Sequence, residues 1–219
     1  MPVLPVTTFT RPIRMRGTEM TGSNIRILRI GLWSLVALAA VGALWLWLRP
    51  QPLDQRELFS TLGQGDYSLM TADGQPFTQA NLVGAPSAVF FGFTHCPDVC
   101  PTTLGDIMTW QEELQDKGET LRTFFITVDP ERDTAQVLGD YVSWVPGVTG
   151  VTGEPAEIQK AIAAFRAFAQ KVPQDDGEYT MNHSAQVLLF DERGQFFAPI
   201  GYQQDHERTM KSLYDLLAG

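Results

Sequence analysis

The hydrophobic pattern divides this chain into one long apolar run near the N-terminus and a longer part in which short apolar segments alternate with polar ones. The long run, residues 30–48 (IGLWSLVALAAVGALWLWL), contains no charged side chain. As a helix it would be roughly 28 Å long, close to the thickness of a bilayer's hydrocarbon core. The pattern therefore predicts a transmembrane anchor. Tryptophans lie towards its two ends, where indole rings favour the membrane interface: Trp33, Trp45 and Trp47.

A buried core helix and a cleaved signal peptide are the two alternatives to an anchor. No charge interrupts the run, which disfavours a core helix, and its end at 46–48 (LWL) offers no small-residue cleavage site. Arg26 and Arg29 precede the run, so we expect the N-terminus in the cytoplasm and the C-terminal part outside it. The predicted organisation is a basic, disordered cytoplasmic segment (1–29), the anchor (30–48), a linker (49–62) and one globular domain (63–219).

Within the globular domain, the spacing of apolar residues predicts alternating strands and helices. Two short runs, 87–94 and 121–128, are apolar and aromatic, which is typical of buried central strands. The first predicted helix follows the first of these strands and begins at a Thr102 or Thr103 cap. The pattern predicts helices over 102–117, 134–145, 155–171 and 206–217. It also predicts hairpins over 67–78 and 185–200 and a short strand over 148–152.

The order of these elements indicates the fold class. Strands joined by helical crossovers and followed by a closing hairpin predict a three-layer α/β domain with a central mixed sheet. A cysteine motif at the end of the first central strand, where a helix begins, is the arrangement of thioredoxin-like proteins. We therefore predict a thioredoxin-like fold preceded by one transmembrane helix.

Charge is distributed unevenly between the two parts of the chain. The chain has 16 basic and 25 acidic side chains, with a formal net charge of −9. All acidic residues except Glu19 follow residue 50, so the globular domain is strongly acidic. Nucleic-acid-binding proteins carry basic patches, so we expect no nucleic-acid partner.

The two cysteines of the chain stand together in Cys96-Pro-Asp-Val-Cys100-Pro. Positions i and i+4 share a face of a helical turn, which brings the two thiols close enough for a disulfide or for joint binding of one metal ion. A helix N-terminus also favours thiolates. The common redox dithiol is C-x-x-C, and the extra residue here weakens a simple oxidoreductase interpretation. The motif predicts a redox or metal site and leaves both open.

The three histidines are the candidate partners of the cysteines in a metal site. Structural zinc takes four protein ligands, so two histidines would have to converge on the cysteines. A site of two thiolates and one imidazole suits copper better and leaves a position for a partner's ligand. We expect His95, next to Cys96, and His206, at a predicted helix start, to point elsewhere. The loop with His183 can approach the cysteines, although a surface position also explains this residue.

Two acidic residues lie where they can influence such a site. Asp98 stands between the cysteines, and Asp129 follows the second central strand. Ligands of α/β sheets bind at the carboxyl ends of strands, which places Asp129 near the edge of the site. Both residues are equally typical of turns. We treat Asp98 and Asp129 as possible neighbours of the metal ligands.

Three segments resemble the Sco/SenC family: FGFTHCPDVCPTTL (91–104), FFITVDPERDT (124–134) and NHSAQVLLFDERG (182–194). The resemblance extends over roughly residues 60–218 and implies a membrane-anchored, thioredoxin-fold copper chaperone for cytochrome c oxidase assembly. It also implies that Cys96, Cys100 and His183 bind copper. The family usually has an acidic residue immediately before this histidine, whereas this chain has Asn182. Asn182 is thus a possible neighbour that orients the imidazole without adding charge.

The resemblance implies that Cu(I) or Cu(II) is delivered to the binuclear copper centre in the oxidase's second subunit. An upstream copper donor and a thiol reductant are the further partners expected. The expected location is the inner (cytoplasmic) membrane, crossed once, with the globular domain in the periplasm. Two alternatives remain open: a thiol-disulfide reductase that uses Cys96 and Cys100 on the oxidase's copper-site cysteines, and a copper or redox sensor.

Overall fold

The computed structural model describes residues 22–48, 59–175 and 177–218 of the chain. The chain divides into two compact units, Met1–Pro52 and Leu53–Gly219, each described by itself. Residues 1–21 of the predicted cytoplasmic segment and 49–58 of the predicted linker lie outside the described residues.

Helix α1, Gly22–Leu48, belongs to the first unit. It begins before the predicted span, so residues 22–29, predicted to be disordered, are helical. The stretch Ile25–Trp47 is apolar and long enough to cross a membrane, and none of its most apolar window is buried. A helix that buries none of this apolar surface fits a membrane anchor.

The second unit is built around strands and helices in alternation. A 3₁₀ turn at Gln79–Leu82 lies between its second and third strands. Its strands are β1 (Leu69–Thr71), β2 (Pro76–Phe77), β3 (Ser87–Gly92), β4 (Arg122–Thr127), β5 (Val148–Thr152), β6 (Ala169–Pro173), β7 (Tyr179–His183), β8 (Val187–Phe190) and β9 (Phe196–Ile200). Its helices are α2 (Val99–Gln115), α3 (Ala135–Val142), α4 (Pro155–Ala164) and α5 (His206–Leu217).

Seven of these strands form one mixed sheet in the order β2-β1-β5-β4-β3-β8-β9. β3 and β4 pair in parallel, as do β4 and β5, because α2 and α3 provide the crossovers between them. β8 pairs with β3 antiparallel, and β9 pairs with β8 antiparallel. The mixed sheet with its helices agrees with the predicted α/β class.

The core of the second unit lies along β3 and β4. Every position of β3 is buried, and β4 is buried except at its half-buried first residue. A strand covered on both faces is a continuous apolar run, as its sequence SAVFFG shows. Helices supply the covering side chains, which include the fully buried Leu104, Leu138, Ile158 and Leu213. These contacts fix the carboxyl end of β3, where the cysteines follow.

The prediction of a helix over 155–171 is wrong beyond residue 164, because α4 ends there. Arg166 adopts a left-handed conformation with φ of 50°, and the Ala167 N–H donates to the Ile162 carbonyl at 2.9 Å. This is a Schellman-type helix end, which glycine usually provides. Since arginine occupies the position here, the sequence carries no clear signal of the stop.

A β-hairpin replaces the end of the predicted helix and the predicted loop before residue 185. β6 and β7 pair antiparallel, with Ala169 opposite His183 and Pro173 opposite Tyr179. They form a two-stranded sheet of their own, outside the seven-stranded sheet. This β6–β7 hairpin places His183 at the last position of β7.

Candidate metal centre

The two cysteines lie where the central strand β3 passes into helix α2. α2 begins at Val99, so the prediction that Thr102 or Thr103 caps this helix is wrong. Cys100 therefore sits in the first helical turn, and its backbone N–H donates to Cys96 Sγ at 3.3 Å. Neither Cys96 nor Cys100 is part of a disulfide; Cys100 is buried and Cys96 is half-buried.

Gly92, the last residue of β3, makes room for the buried thiol. A Cβ atom at this position would lie 2.6 and 2.7 Å from the Phe125 ring and 2.8 Å from Cys100 Sγ. Glycine inside a strand often marks such a close approach. The Cys100 sulfur thus packs directly onto the backbone of the central strand.

His183 completes the cluster from the β6–β7 hairpin. Its Nε2 lies 3.5 Å from Cys100 Sγ, although 83 residues separate the two in the chain. The ligand atoms of Cys96, Cys100 and His183 all lie within 4.8 Å of one another, so the three residues could hold a metal ion. Aromatic rings fix the imidazole edge-on, with centroid distances of 5.6 Å to Phe93 and 6.3 Å to Phe90.

The tautomer of His183 follows from its second ring nitrogen. Nδ1 lies 2.8 Å from the Ser184 carbonyl oxygen, which can only accept a hydrogen bond. Nδ1 therefore carries the proton, and Nε2 directs a lone pair at the cysteines. A backbone carbonyl in this role is a common way to orient a metal-binding imidazole.

The two thiols differ strongly in acidity. The Cys100 thiol donates a hydrogen bond to Cys96, and this contact does most to lower the pKa of Cys96, to about 4. Backbone N–H groups of Cys100 and Asp98 add to the effect, while partial burial opposes it. The same contact with Cys96, together with burial, raises the pKa of Cys100 well above its usual range. The cluster holds one thiolate and one thiol.

The other predicted site residues occupy different places around the cluster. Asp98 is the N-cap residue of α2, and its exposed carboxylate accepts a hydrogen bond from Thr102 at 3.5 Å. Asn182 is exposed and lies in β7 opposite Gln170. His95 is exposed beside Thr94, as expected. His206 contacts Glu113 on the surface at 2.6 Å, also as expected.

Asp129 is buried at the end of β4 and faces the β6–β7 hairpin rather than the solvent. Its carboxylate accepts a hydrogen bond from the Tyr179 hydroxyl at 2.9 Å and pairs with Arg132. The structure therefore places this predicted neighbour of the ligands against the strand that carries His183. The side chain of Asp129 also lines a groove shared with Lys171 and Met181 of that hairpin.

The structure adds Asp133 as a residue that supports the site. Thr134 is the N-cap residue of α3, and the carboxylate of the preceding Asp133 is fully buried. It accepts hydrogen bonds from the Thr94 N–H at 3.0 Å and the Thr94 hydroxyl at 2.6 Å. Asp133 therefore anchors the segment that leads into Cys96. Its position after a buried strand was the available signal.

A cleft opens beside the three candidate ligands. The cysteine loop and the hairpin form its walls, so the cluster is reachable from solvent through Cys96. Two thiol sulfurs and one imidazole nitrogen are suitable ligands for a soft or borderline ion such as copper. The apolar residues around this opening are Phe93, Pro97, Val99, Phe168, Met181 and Ala185.

A mixed sheet whose central strand ends at two cysteines, with a histidine from a separate hairpin beside them, defines a thioredoxin-like protein with an open cluster that could hold a metal ion. The SCO1/SenC family model matches residues 55–218, so this chain belongs to the SCO1/SenC family. BsSco, which shares this fold at 19% identity with a TM-score of 0.55, is a member of the Sco family of cytochrome c oxidase assembly proteins. The resemblance predicted from the three sequence segments is thereby confirmed.

Solved structures of relatives confirm the thioredoxin-like fold class. Copper-bound ScoI of Bradyrhizobium japonicum is 39% identical, with a TM-score of 0.65, and the match covers 71% of this chain and 99% of that one. Copper-bound yeast Sco1 is 33% identical, with a TM-score of 0.67, and the match covers 73% and 90%.

A mitochondrial relative shows how far the similarity extends along a longer protein. Protein SCO2 of Saccharomyces cerevisiae is 34% identical over 154 residues. The match covers 68% of this chain and 51% of that protein. This chain therefore spans about half the length of that curated relative.

Proposed function

We propose that this chain is a membrane-anchored copper metallochaperone that binds copper through Cys96, Cys100 and His183 and delivers it to cytochrome c oxidase. The observation that carries the proposal is the convergence of these ligand atoms within 4.8 Å. Two sulfurs and one nitrogen match the ligand preferences of copper. Membership of the SCO1/SenC family and copper in the related ScoI and Sco1 structures support the same function.

The arrangement suits capture and release of an ion rather than permanent storage. Cys96 is half-buried at the cleft and already a thiolate, so it makes the first contact with an incoming ion. The lone pair of His183 Nε2 is preset, whereas Cys100 releases its proton as the metal binds. Three protein ligands leave one coordination position of the ion open. A ligand of the acceptor binds there first, and further acceptor ligands then replace the three protein ligands one after another.

The acceptor we propose is the binuclear copper centre in the oxidase's second subunit. An upstream protein would donate the copper, as Cu(I) or Cu(II), and a thiol reductant would keep both cysteines reduced, because disulfides persist outside the cytoplasm. Arg26 and Arg29 precede the uncharged run 30–48 of α1, which supports an N-terminus in the cytoplasm. We therefore propose a single-pass inner-membrane protein with its globular unit in the periplasm.

The acidity difference between the two thiols favours a second candidate function, a thiol-disulfide reductase. The Cys96 thiolate would attack one sulfur of a substrate disulfide, form a mixed disulfide and release the other sulfur as a thiolate. Cys100, after losing its proton, would attack Cys96 Sγ, form the Cys96–Cys100 disulfide and release the second substrate thiolate. Two electrons pass from this protein to the substrate. The oxidase's copper-site cysteines are the proposed substrate.

Copper titration of the reduced full-length protein in detergent tests the first function. We expect His183→Ala to lower Cu(II) affinity by at least roughly 100-fold, because a direct ligand contributes more than its supporting neighbours. His206→Ala is the matched control and should bind as wild type, since His206 is exposed and contacts Glu113 at 2.6 Å. A thiolate-to-Cu(II) charge-transfer band should appear in wild type.

Unchanged stoichiometry and affinity in His183→Ala would contradict the three-ligand chaperone. The same variant separates the two functions, because disulfide reduction needs the cysteines and not the imidazole. Retained reduction of a model disulfide together with lost copper binding would assign the two activities to different parts of the cluster.

A further inference from the structure

The β6–β7 hairpin carries a candidate ligand but lies outside the main sheet. Its two strands pair only with each other in the described sheets, whereas Cys96 and Cys100 follow the fully buried strand β3. In β6 only Ala169 and Val172 are half-buried and the other positions are exposed, whereas β7 is half-buried except at Asn182. Side-chain contacts therefore have to hold this hairpin, and with it His183, against the rest of the globular unit.

Tyr179, at the start of β7, makes several of these contacts. Its hydroxyl donates to Asp129 Oδ1 at 2.9 Å, and its backbone carbonyl accepts from Arg132 Nη1 at 3.1 Å. The Arg132 guanidinium also lies 3.8 Å from the centre of the Tyr179 ring. Hydroxyl, carbonyl and ring of one residue are thus all engaged by the loop that follows β4.

Asp129 and Arg132 are suited to hold another element in place because they are themselves fixed. Asp129 is 3% exposed, pairs with Arg132 and donates its backbone N–H to Thr127 Oγ1 at 2.9 Å. Removing Arg132 would leave the buried Asp129 carboxylate without its charged partner, which is costly. We name Asp129, Arg132 and Tyr179 the hairpin clamp.

The same loop holds the cysteine side of the cluster. Thr127 donates to Asp133 Oδ2 at 2.7 Å, and the other oxygen of this carboxylate accepts from the Thr94 hydroxyl at 2.6 Å. Thr94 lies two positions before Cys96 in the chain. Residues 127–133 therefore link to the cysteine segment on one side and to the hairpin on the other.

We propose that the hairpin clamp positions His183 and so sets how tightly the cluster holds a metal ion through its imidazole. Asp129, Arg132 and Tyr179 are positioning residues, because they act through the strand and touch no candidate ligand atom. The proposal rests on the proposed copper function and extends it. Tyr179 and His183 lie at opposite ends of the same strand, so a shift at Tyr179 tilts the imidazole.

Tyr179→Phe is the test variant, because it keeps the ring and its cation contacts and removes only the hydroxyl bonded to Asp129. In the reduced full-length protein in detergent, we expect roughly tenfold weaker Cu(II) binding, as for other partners that orient a ligand. Cu(I) affinity should change less, because the two thiolates dominate binding of the softer ion. The nitrogen hyperfine coupling of bound Cu(II) should weaken in its electron paramagnetic resonance spectrum.

Tyr67→Phe is the matched control, because it also removes a tyrosine hydroxyl hydrogen bond, here one to the Gly63 carbonyl at 2.9 Å. It should lower the thermal unfolding midpoint and leave Cu(II) affinity and hyperfine coupling as in wild type. If Tyr179→Phe has the Cu(II) affinity and spectrum of wild type, the clamp proposal is wrong, whereas the proposed copper function is unaffected. Equal losses in Tyr67→Phe would also overturn it. Absence of a His183-dependent nitrogen signal in wild type would overturn the copper function as well.

Discussion

The candidate metal centre has a buried floor and an open mouth, and the two are built differently. The floor consists of Gly92 at the end of β3 and Cys100 in the first turn of α2, packed onto the core. The mouth consists of half-buried Cys96 and of His183 on a hairpin outside the main sheet. Apolar packing fixes the floor, whereas hydrogen bonds and ion pairs fix the mouth.

Under the proposed function, this difference lets one cluster bind an ion and still release it. Close packing leaves Cys100 a single position, since protein interiors tolerate few shifts. The hairpin that carries His183 is held by a few polar contacts to one loop and not by the main sheet, so small movements of it are allowed. A ligand held by such contacts is the one expected to leave first when an acceptor approaches.

The largest expected effect is the difference in reactivity between the two thiols. Cys96 has a pKa of about 4, whereas the raised pKa of Cys100 keeps it a neutral thiol. Only thiolates react with iodoacetamide, so at pH 6.5 Cys96 should be alkylated at least roughly 100-fold faster than Cys100. Mass spectrometry of the digested protein measures the ratio. Comparable alkylation rates for Cys96 and Cys100 would show that the thiols of the floor and the mouth do not differ in acidity.

The lowered pKa of Cys96 also predicts how the free energy of unfolding changes with pH. Between pH 4 and about 8.5, the usual pKa of cysteine, the unfolded chain keeps a proton on Cys96 that the folded chain has lost. Unfolding then takes up a proton, so the Cys96 contribution to the free energy of unfolding rises with pH in this window and is lost as the pH falls through 4. Cys96→Ser should remove this contribution in urea titrations.

A change in the floor should have the next largest effect. Gly92→Ala places a Cβ atom 2.6 to 2.8 Å from the Phe125 ring and Cys100 Sγ, so it should lower the free energy of unfolding by about 1–3 kcal/mol. Gly105→Ala in α2 is the control, because its Cβ meets nothing within 4 Å, and alanine stabilises helices by up to about 1 kcal/mol. Urea unfolding distinguishes them. Equal stabilities would show that the floor is not tightly packed.

The smallest effect is expected at the outer edge of the mouth. Lys171 pairs with Glu131 at 2.7 Å, and both side chains are largely exposed. Lys171→Ala should leave Cu(II) affinity within roughly twofold of wild type, because exposed ion pairs contribute little. Lys160→Ala, which removes a similar surface pair with Glu157, is the control. If Lys171→Ala lowers Cu(II) affinity as much as Tyr179→Phe does, contacts along the whole hairpin position His183, and not the hairpin clamp alone.

The sequence predicted the main sheet well because its strands carry strong local signals. The apolar runs of β3 and β4 and the cysteines after β3 are where the pattern indicated. The β6–β7 hairpin was missed, because Ala-rich spacing continued the helical pattern and Arg166 ends α4 without a glycine. The supporting role of Asp133 was not predicted, because a carboxylate just before a helix is ordinarily explained as a cap.

By itself, the sequence determined the apolar span, the central strands and the pairing of Cys96 with Cys100, because these follow from near neighbours in the chain. Only the tertiary structure decided that His183 meets Cys100 across 83 residues. It also decided the tautomer of His183, through the Ser184 carbonyl, and the opposite pKa shifts of the two thiols. The first depends on contact between distant segments. The other two depend on burial and on the orientation of neighbouring groups, which local periodicity does not encode.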